Sequence, residues 1–139
     1  MPAQRKVRFR ASWPPRAETP DEVALRLSAF MLDLRGMAPY AEPIYAEGMG
    51  RVVPTAGGLA ASFPFGGQGG ETRMYAGGRR ALLDVRAGVT VPGSVNHVRL
   101  DLLPPEGELE PSLADRIRKS MAAAFDAGDV LVTDDRPPV

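Results

Sequence analysis

The sequence contains no cysteine and only one histidine, His97, and both shortages restrict the chemistry available to the chain. Without cysteine there can be no disulfide, no thiolate nucleophile and no cysteine-ligated zinc or iron–sulfur site. A single histidine cannot build a histidine-based metal site, and it has no cysteine with which to form a catalytic dyad. We therefore expect no bound metal, and we expect the chain to function in a reducing compartment.

Long apolar runs are also missing. No stretch approaches the roughly 20 apolar residues that span a bilayer, and no apolar segment of signal-peptide length follows residues 1–10. The sequence therefore predicts a cytoplasmic protein that does not contact a membrane.

Neither sign of charge is in excess, since Lys plus Arg and Asp plus Glu both number 17. This balance argues against a general nucleic-acid binder, which usually carries a basic excess. The two ends differ, however, because residues 1–100 carry a net charge of +5 and residues 101–139 a net charge of −5. The acidic end is therefore a candidate for contact with a basic partner.

The length and composition are those of one globular domain. The 139 residues suffice for a single continuous core, and 44% of them are hydrophobic and 24% charged, which is typical of folded proteins. We therefore treat residues 1–139 as a single domain.

Periodicity predicts the first two elements. Apolar and polar residues alternate over residues 7–13, which indicates a half-buried strand that Pro14-Pro15 ends. A helix is predicted to follow Thr19, because this hydroxyl and Glu22 form a capping box around a proline at the first helical position. The helix is expected to end near residue 35, with Gly36 as a left-handed C-cap.

The middle of the chain favours short elements, since prolines and paired glycines interrupt residues 37–78. We predict short strands at 44–46, 51–53 and 59–63. The glycine-rich stretches 66–70 and 77–80 lack the spacing of a phosphate-binding or dinucleotide-binding loop and are interpreted as flexible turns, so no cofactor is expected.

Regular patterns return in the last third. Alternation over 81–91 and 95–102, on either side of Pro92-Gly93, predicts an antiparallel hairpin. A second amphipathic helix is predicted from Pro111, with Gly128 as its stop, followed by a short strand at 130–132 and a charged tail at 134–138. This order predicts an α+β domain, an antiparallel β-sheet with two helices packed on one face.

Only weak candidates for catalysis remain. His97 falls on the polar side of its strand, and Ser120 cannot use its neighbour Lys119 as a base because consecutive helix residues do not face each other. Carboxylates could in principle perform acid/base catalysis, but they lie in Pro-rich or terminal segments where solvated charge is the better interpretation. We therefore predict no catalytic residues. The alternative is a small hydrolase built from these carboxylates, which would lose turnover when Glu106 is replaced by Gln.

A nucleic-acid surface is a further alternative, with Trp13 as a platform on which bases stack. Its cations would be Arg8, Arg10, Arg16, Arg79 and Arg80. The favoured interpretation places Trp13 in the core and the neighbouring arginines in solvent, so that no nucleic acid is bound.

Both ends of the chain resemble the immunity protein 52 family. The stretch VRFRASWPPRAE at 7–18 and the capped helix after it resemble the start of that family, in which a strand ends in an aromatic residue before a Pro-Arg-x-Glu stretch. Residues 96–104 resemble the family's late strand, and residues 125–133 resemble its ending. The matching motif residues, interpreted as structural, are Trp13, Arg16, Glu18, Asn96 and Pro104.

The resemblance implies a bacterial immunity protein of a polymorphic-toxin or type VI secretion system, which binds a cognate toxin and neutralises it without catalysis. Toxins paired with this family resemble restriction-endonuclease-type nucleases, whose clefts are positive, so an acidic inhibitor surface could occupy them. The candidate toxin-binding residues are Glu106, Glu108, Glu110, Asp134 and Asp135. The main alternative is an intracellular scaffold or interaction domain that forms homo-oligomers and has no toxin partner.

Overall fold

The computed structural model describes residues 6–43, 45–46, 50–51, 65–66, 69–105 and 109–134. These residues form an antiparallel β-sheet with two α-helices on one face, which confirms the predicted α+β class. The strands are β1 Val7–Trp13, β2 Tyr45–Ala46, β3 Gly50–Arg51, β4 Phe65–Gly66, β5 Gly69–Tyr75, β6 Ala81–Ala87, β7 Asn96–Leu102 and β8 Val130–Asp134. The helices are α1 Pro20–Met37 and α2 Pro111–Ala124, and single 3-10 turns lie at Pro39–Ala41 and Gly77–Arg79.

The strand order is β3-β2-β5-β6-β7-β1-β8, and β4 pairs with β5. The strand β1 therefore lies between the predicted hairpin, β6 and β7, and the last strand, β8. Because β8 pairs with β1 from Val130 to Asp134, Asp134 belongs to the sheet, and its predicted place in a tail is wrong.

The pairing register separates the sheet into two faces. Phe9 lies opposite Leu100, and Leu100 lies opposite Leu83; all three are buried in the core shared with both helices. One residue further along each strand the side chains point the other way, since directly opposed residues share a face and the side-chain period is two. We call this second side of the sheet, which faces away from α1 and α2, the open face.

The helix α1 forms where the capping signal places it, but it ends later than expected. Thr19 Oγ accepts a hydrogen bond from the Glu22 backbone N–H at 3.1 Å, as the capping box predicts. The predicted C-cap at Gly36 is wrong, because the Ala38 N–H still bonds to the Leu34 carbonyl at 2.7 Å and Gly36 lies inside the helix.

The helix α2, in contrast, ends earlier than predicted. The helix ends at Ala124, and the residue with left-handed backbone is Asp126, with φ 49°, rather than the predicted Gly128. The Ala127 N–H then bonds to the Ala122 carbonyl at 3.0 Å, which closes the last turn before the chain enters β8.

The strand β5 was not predicted, and the stretch 66–70, predicted as a flexible turn, includes the end of β4 at Gly66 and the start of β5 at Gly69. The chain reverses between these two paired residues, and residues 67 and 68 lie outside the described residues. Gly69 has φ +84°, and a Cβ placed there would lie 2.5 Å from the Ala87 carbonyl oxygen on the neighbouring strand, so only glycine fits. Two of the predicted short strands coincide in part with β2 and β3, while the strand predicted at 59–63 lies outside the described residues.

Candidate functional site: the open face of the sheet

The open face carries most of the charge that the described strands present. On β1, β5, β6 and β7 its charged residues are Arg8, Arg10, Glu71, Arg73, Asp84, Arg86, Arg99 and Asp101, and His97 lies among them. On these four strands five arginines therefore share the face with three carboxylates, an excess of two positive charges. The open face is therefore net basic, whereas the binding residues predicted from the sequence are acidic.

Asp84 lies at the centre of this face and is surrounded by cations. Its side chain is only 8% exposed, and its Oδ2 lies 3.7 Å from Arg99 Nη2 and 3.9 Å from Arg73 Nη2. These distances are ion pairs rather than hydrogen bonds, and Asp84 Oδ1 is buried with no hydrogen-bond partner. A buried carboxylate needs such neighbours because an isolated charge is costly to bury.

Asp101 is held more tightly than Asp84. Arg8 Nε donates to Asp101 Oδ1 at 2.8 Å and Arg8 Nη2 donates to Oδ2 at 3.3 Å, which is a two-pronged pair. Arg99 Nε lies 3.6 Å from Asp101 Oδ2, so the Arg99 guanidinium bridges the two buried carboxylates. The ion pairs thus fix Arg8, Arg99 and both aspartates in place.

Two arginines on the open face are left over from this network. Among the described residues, neither Arg10 nor Arg86 has a carboxylate within ion-pair distance, although Glu71 is the register partner of Arg86. Arg10 is exposed and lies directly opposite both Arg99 and Leu131. Leu131 is 64% exposed, so an apolar side chain stands next to an uncompensated cation.

His97 lies between these cations and the buried carboxylates. Burial is the largest influence and lowers the pKa of His97 below its ordinary 6.5; Asp84 and Glu71 oppose this shift, while Arg10 and Arg99 add to it. The expectation that His97 lies on the polar face of its strand is confirmed, although the side chain is only 23% exposed. The lowered pKa means that the imidazole is neutral at pH 7.

Three of the motif residues form a cluster on the opposite side of the sheet, which we call the Arg16 clamp: Trp13, Arg16, Glu18, Arg26 and Phe125. The Arg16 guanidinium lies 5.1 Å from the centre of the Trp13 ring and donates to Glu18 Oε1 at 2.8 and 3.1 Å. It also donates to the Phe125 carbonyl oxygen at 2.9 Å, and the Trp13 and Phe125 rings stack at 5.8 Å. The clamp joins the end of β1, the start of α1 and the end of α2.

The other two motif residues are also buried at joints of the fold. Asn96 Oδ1 accepts from the Val89 N–H at 2.8 Å, and Asn96 Nδ2 donates to the Pro14 carbonyl oxygen at 3.1 Å. These bonds tie the turn between β6 and β7 to the chain that leaves β1. Pro104 is buried just after β7.

Of the five predicted toxin-binding carboxylates, Glu110 and Asp134 fall within the described residues. Glu106, Glu108 and Asp135 lie outside the described residues. Glu110 is exposed at the N-cap of α2, where its side chain makes no capping hydrogen bond, and Asp134 is the last residue of β8.

The arginines considered for nucleic-acid binding are separated. Arg8 and Arg10 lie on the open face, whereas Arg16 belongs to the clamp. Arg79 and Arg80 lie at the 3-10 turn before β6. The arginines that do accompany Arg8 and Arg10 are Arg73, Arg86 and Arg99. The sequence analysis did not select these three; for Arg86 and Arg99 the alternation of polar and apolar residues over 81–91 and 95–102 was a usable signal, whereas β5 gave none for Arg73.

A groove of about 480 Å³ lies between α1 and α2 and is lined by residues that include Leu32, Met37 and Arg116. Ser120 borders it and donates from Oγ to Asp33 Oδ2 at 2.8 Å, while Lys119 pairs with Asp115 at 2.8 Å. Ser120 is thus engaged by a carboxylate rather than by its neighbour Lys119. In the described ranges, no three His, Asp or Glu side chains lie together as a metal site would require.

Comparison of the chain with protein-family models, with curated proteins and with solved structures finds no match. The resemblance to the immunity protein 52 family therefore rests on the sequence motifs alone. Neither of the helices that the structure describes has both the length and the apolar character needed to cross a bilayer.

Proposed function

We propose that this chain is a cytoplasmic bacterial immunity protein that binds a cognate toxin of a polymorphic-toxin or type VI secretion system and neutralises it without catalysis. The toxin is proposed to be a restriction-endonuclease-like nuclease, as the resemblance of the two chain ends implies. The observation that best supports a binding role is the open face, a broad charged surface on a sheet whose other face is occupied by the helices.

The fixed geometry of the open face supports this proposal on physical grounds. Side chains on strands that are cross-linked by ion pairs lose little further freedom on binding, so less of the binding energy is spent on ordering them. Arginine is also enriched at protein interfaces and among the residues that dominate their binding energy. The Arg8–Asp101 and Arg99–Asp84 pairs hold such a surface ready for a partner.

The test is to co-express this chain with the toxic C-terminal domain encoded beside its gene. Growth rescue, together with a stoichiometric complex on size exclusion, is the expected result. A catalytically inactive toxin variant that still forms the complex is the control that separates binding from toxin loss. No rescue and no complex with any neighbouring product would refute the immunity function.

One observation favours the scaffold alternative. The strand β8 lies at the end of the strand order, and its Leu131 is well exposed, so the edge could pair with a second copy of the chain. The same size-exclusion run distinguishes the two, because a stable homodimer that ignores the toxin domain is the outcome that a scaffold predicts.

A further inference from the structure

We propose that the open face, through Arg86 and through Arg10 with Leu131 beside it, is the docking surface for an acidic region of the toxin that lies outside the toxin's own phosphate-binding cleft. This inference rests on the proposed immunity function and names the surface and the chemistry of its partner. It replaces the acidic segments around Glu110 as the contact surface.

The argument begins with the charges that are already compensated. Asp101 is paired with Arg8 at 2.8 Å, and Asp84 is surrounded by Arg73 and Arg99 within 4 Å. These groups largely cancel one another within the face. Arg10 and Arg86 stand outside the network. Because Glu71 is the register partner of Arg86, the positive charge that meets no opposing carboxylate outside the network is that of Arg10.

The position of Arg10 adds to this argument. It lies directly opposite Arg99, and like charges in directly opposed sheet positions repel each other. A carboxylate from a partner placed over Arg10 would relieve this repulsion as well as form its own ion pair. Leu131, opposite Arg10 on β8, would supply apolar contact area beside that ion pair.

The open face favours an acidic protein over a nucleic acid. Sheets that bind single-stranded nucleic acid stack bases on aromatic side chains. The open face carries Tyr75 on β5 and Tyr45 on β2, but its positions on β1, β6 and β7, where Arg10 and Arg86 lie, carry no aromatic residue. Glu71, Asp84 and Asp101 would also repel phosphates. A protein surface can place its own cations over carboxylates, whereas a phosphate backbone carries a single sign of charge.

The charge of the open face also limits where on a nuclease it can bind. A nuclease cleft is positive because it holds phosphate, and a basic docking surface would be repelled by it. The acidic region must therefore lie elsewhere on the toxin. Inhibition would then act by blocking substrate approach sterically or by fixing an inactive conformation, and the cleft itself would stay open to a short DNA.

The experiment measures the affinity of the purified, catalytically inactive toxin domain for four forms of this chain by biolayer interferometry. The forms are the wild type, the double variant Arg10→Glu with Arg86→Glu, the control Arg116→Glu and the variant Glu110→Arg. Arg116 is an exposed arginine on α2, on the helix side of the sheet, and its substitution is thus a single charge reversal away from the open face. Thermal unfolding of each variant establishes that it is folded.

We expect the double variant to bind at least about 30-fold more weakly than the wild type, mainly through slower association that becomes less salt-dependent. The Arg116→Glu and Glu110→Arg variants should stay within about threefold of the wild type, because neither lies on the open face. The complex should still bind a short DNA duplex at the toxin's cleft.

Three results would overturn the inference, and they are distinguishable. If the toxin binds the wild type and the folded double variant equally well, the docking surface is wrong while the immunity function stands. If the wild type does not bind the toxin at all, the function fails and the inference with it. If the wild type retards a labelled single-stranded oligonucleotide, with steep salt dependence that the double variant loses, the face is a nucleic-acid surface.

Discussion

The contacts of the Arg16 clamp predict how much the free energy of unfolding falls when Glu18 loses its charge. The Glu18 side chain is 1% exposed and receives hydrogen bonds or ion pairs from Arg16 at 2.8 Å and from Arg26 at 3.1 Å. The substitution Glu18→Gln keeps the shape of the side chain but removes its charge. It therefore leaves Arg26 without its carboxylate partner and Arg16 with only the exposed Asp126 at 3.8 Å, while disturbing the packing as little as possible.

The magnitude follows from the burial of the partners. Removing one member of a fully buried ion pair costs about 3–5 kcal/mol, because the other charge is left uncompensated. Arg16 and Arg26 are 26% and 29% exposed, so water can solvate part of each freed charge. We therefore expect Glu18→Gln to lower the free energy of unfolding by about 2–3 kcal/mol, which for a chain of this length lowers Tm by about 6–15 °C.

The assay is urea unfolding followed by circular dichroism, with Tm as a second measure. The matched control is Asp115→Asn, which removes the carboxylate from the exposed pairs with Arg118 and Lys119 and should leave Tm unchanged. A Glu18→Gln variant that melts within about 2 °C of the wild type would refute the reasoning, since the clamp would then contribute nothing beyond an ordinary surface pair.

Two other perturbations test the backbone and the charged face. Gly69→Ala should lower the free energy of unfolding by at least about 2 kcal/mol, because its Cβ would lie 2.5 Å from the Ala87 carbonyl oxygen at φ +84°. Gly36→Ala, its matched control in an open helical position, should raise that free energy by about 0.5–1 kcal/mol. His97 should make stability fall as the pH drops below 6.5, because burial lowers its pKa in the folded chain and only the unfolded chain then takes up the proton. His97→Gln should reduce this loss, measured by urea unfolding at pH 7.5 and at pH 5.5.

Each of these tests can fail in a specific way. If Gly69→Ala and Gly36→Ala shift stability equally, the close approach of β5 to β6 does not determine the residue at position 69. If the wild type and His97→Gln lose the same stability between the two pH values, His97 titrates alike in the folded and unfolded chains. The second comparison is clean because the chain has no other histidine.

The parts of the fold that the sequence predicts well are those where one strong signal acts locally. Apolar residues at every second position define β1, and a capping box with a proline defines the start of α1. The strand β5 escaped notice because its inward residues include Gly70, Thr72 and Met74, which are small or polar and give no apolar alternation. Its burial comes from pairing with β6, which local sequence does not reveal.

The candidate site was predicted less well because it depends on long-range register. Arg73, Asp84 and Arg99 come from three different strands, and only the pairing of those strands places them in one row. The sequence predicts binding at the acidic segments because their carboxylates are close together along the chain. Sequence neighbours in a loop share no fixed geometry, whereas cross-strand neighbours in a sheet are held at a set spacing.

The two faces of the sheet differ in how their charged residues relate to folding. In the Arg16 clamp, Glu18 pairs with both Arg16 and Arg26, and the Arg16 guanidinium lies over the Trp13 ring. These charges therefore stabilise the joint between β1 and the helices. On the open face, Arg10 opposes Arg99 and remains without a counter-ion in the described structure, an arrangement that works against folding. Charges that a fold does not need, and that cost it stability, are characteristic of surfaces selected for binding rather than for packing. This contrast is the physical reason to look for a binding partner on the open face and not at the motif residues that carry the family resemblance.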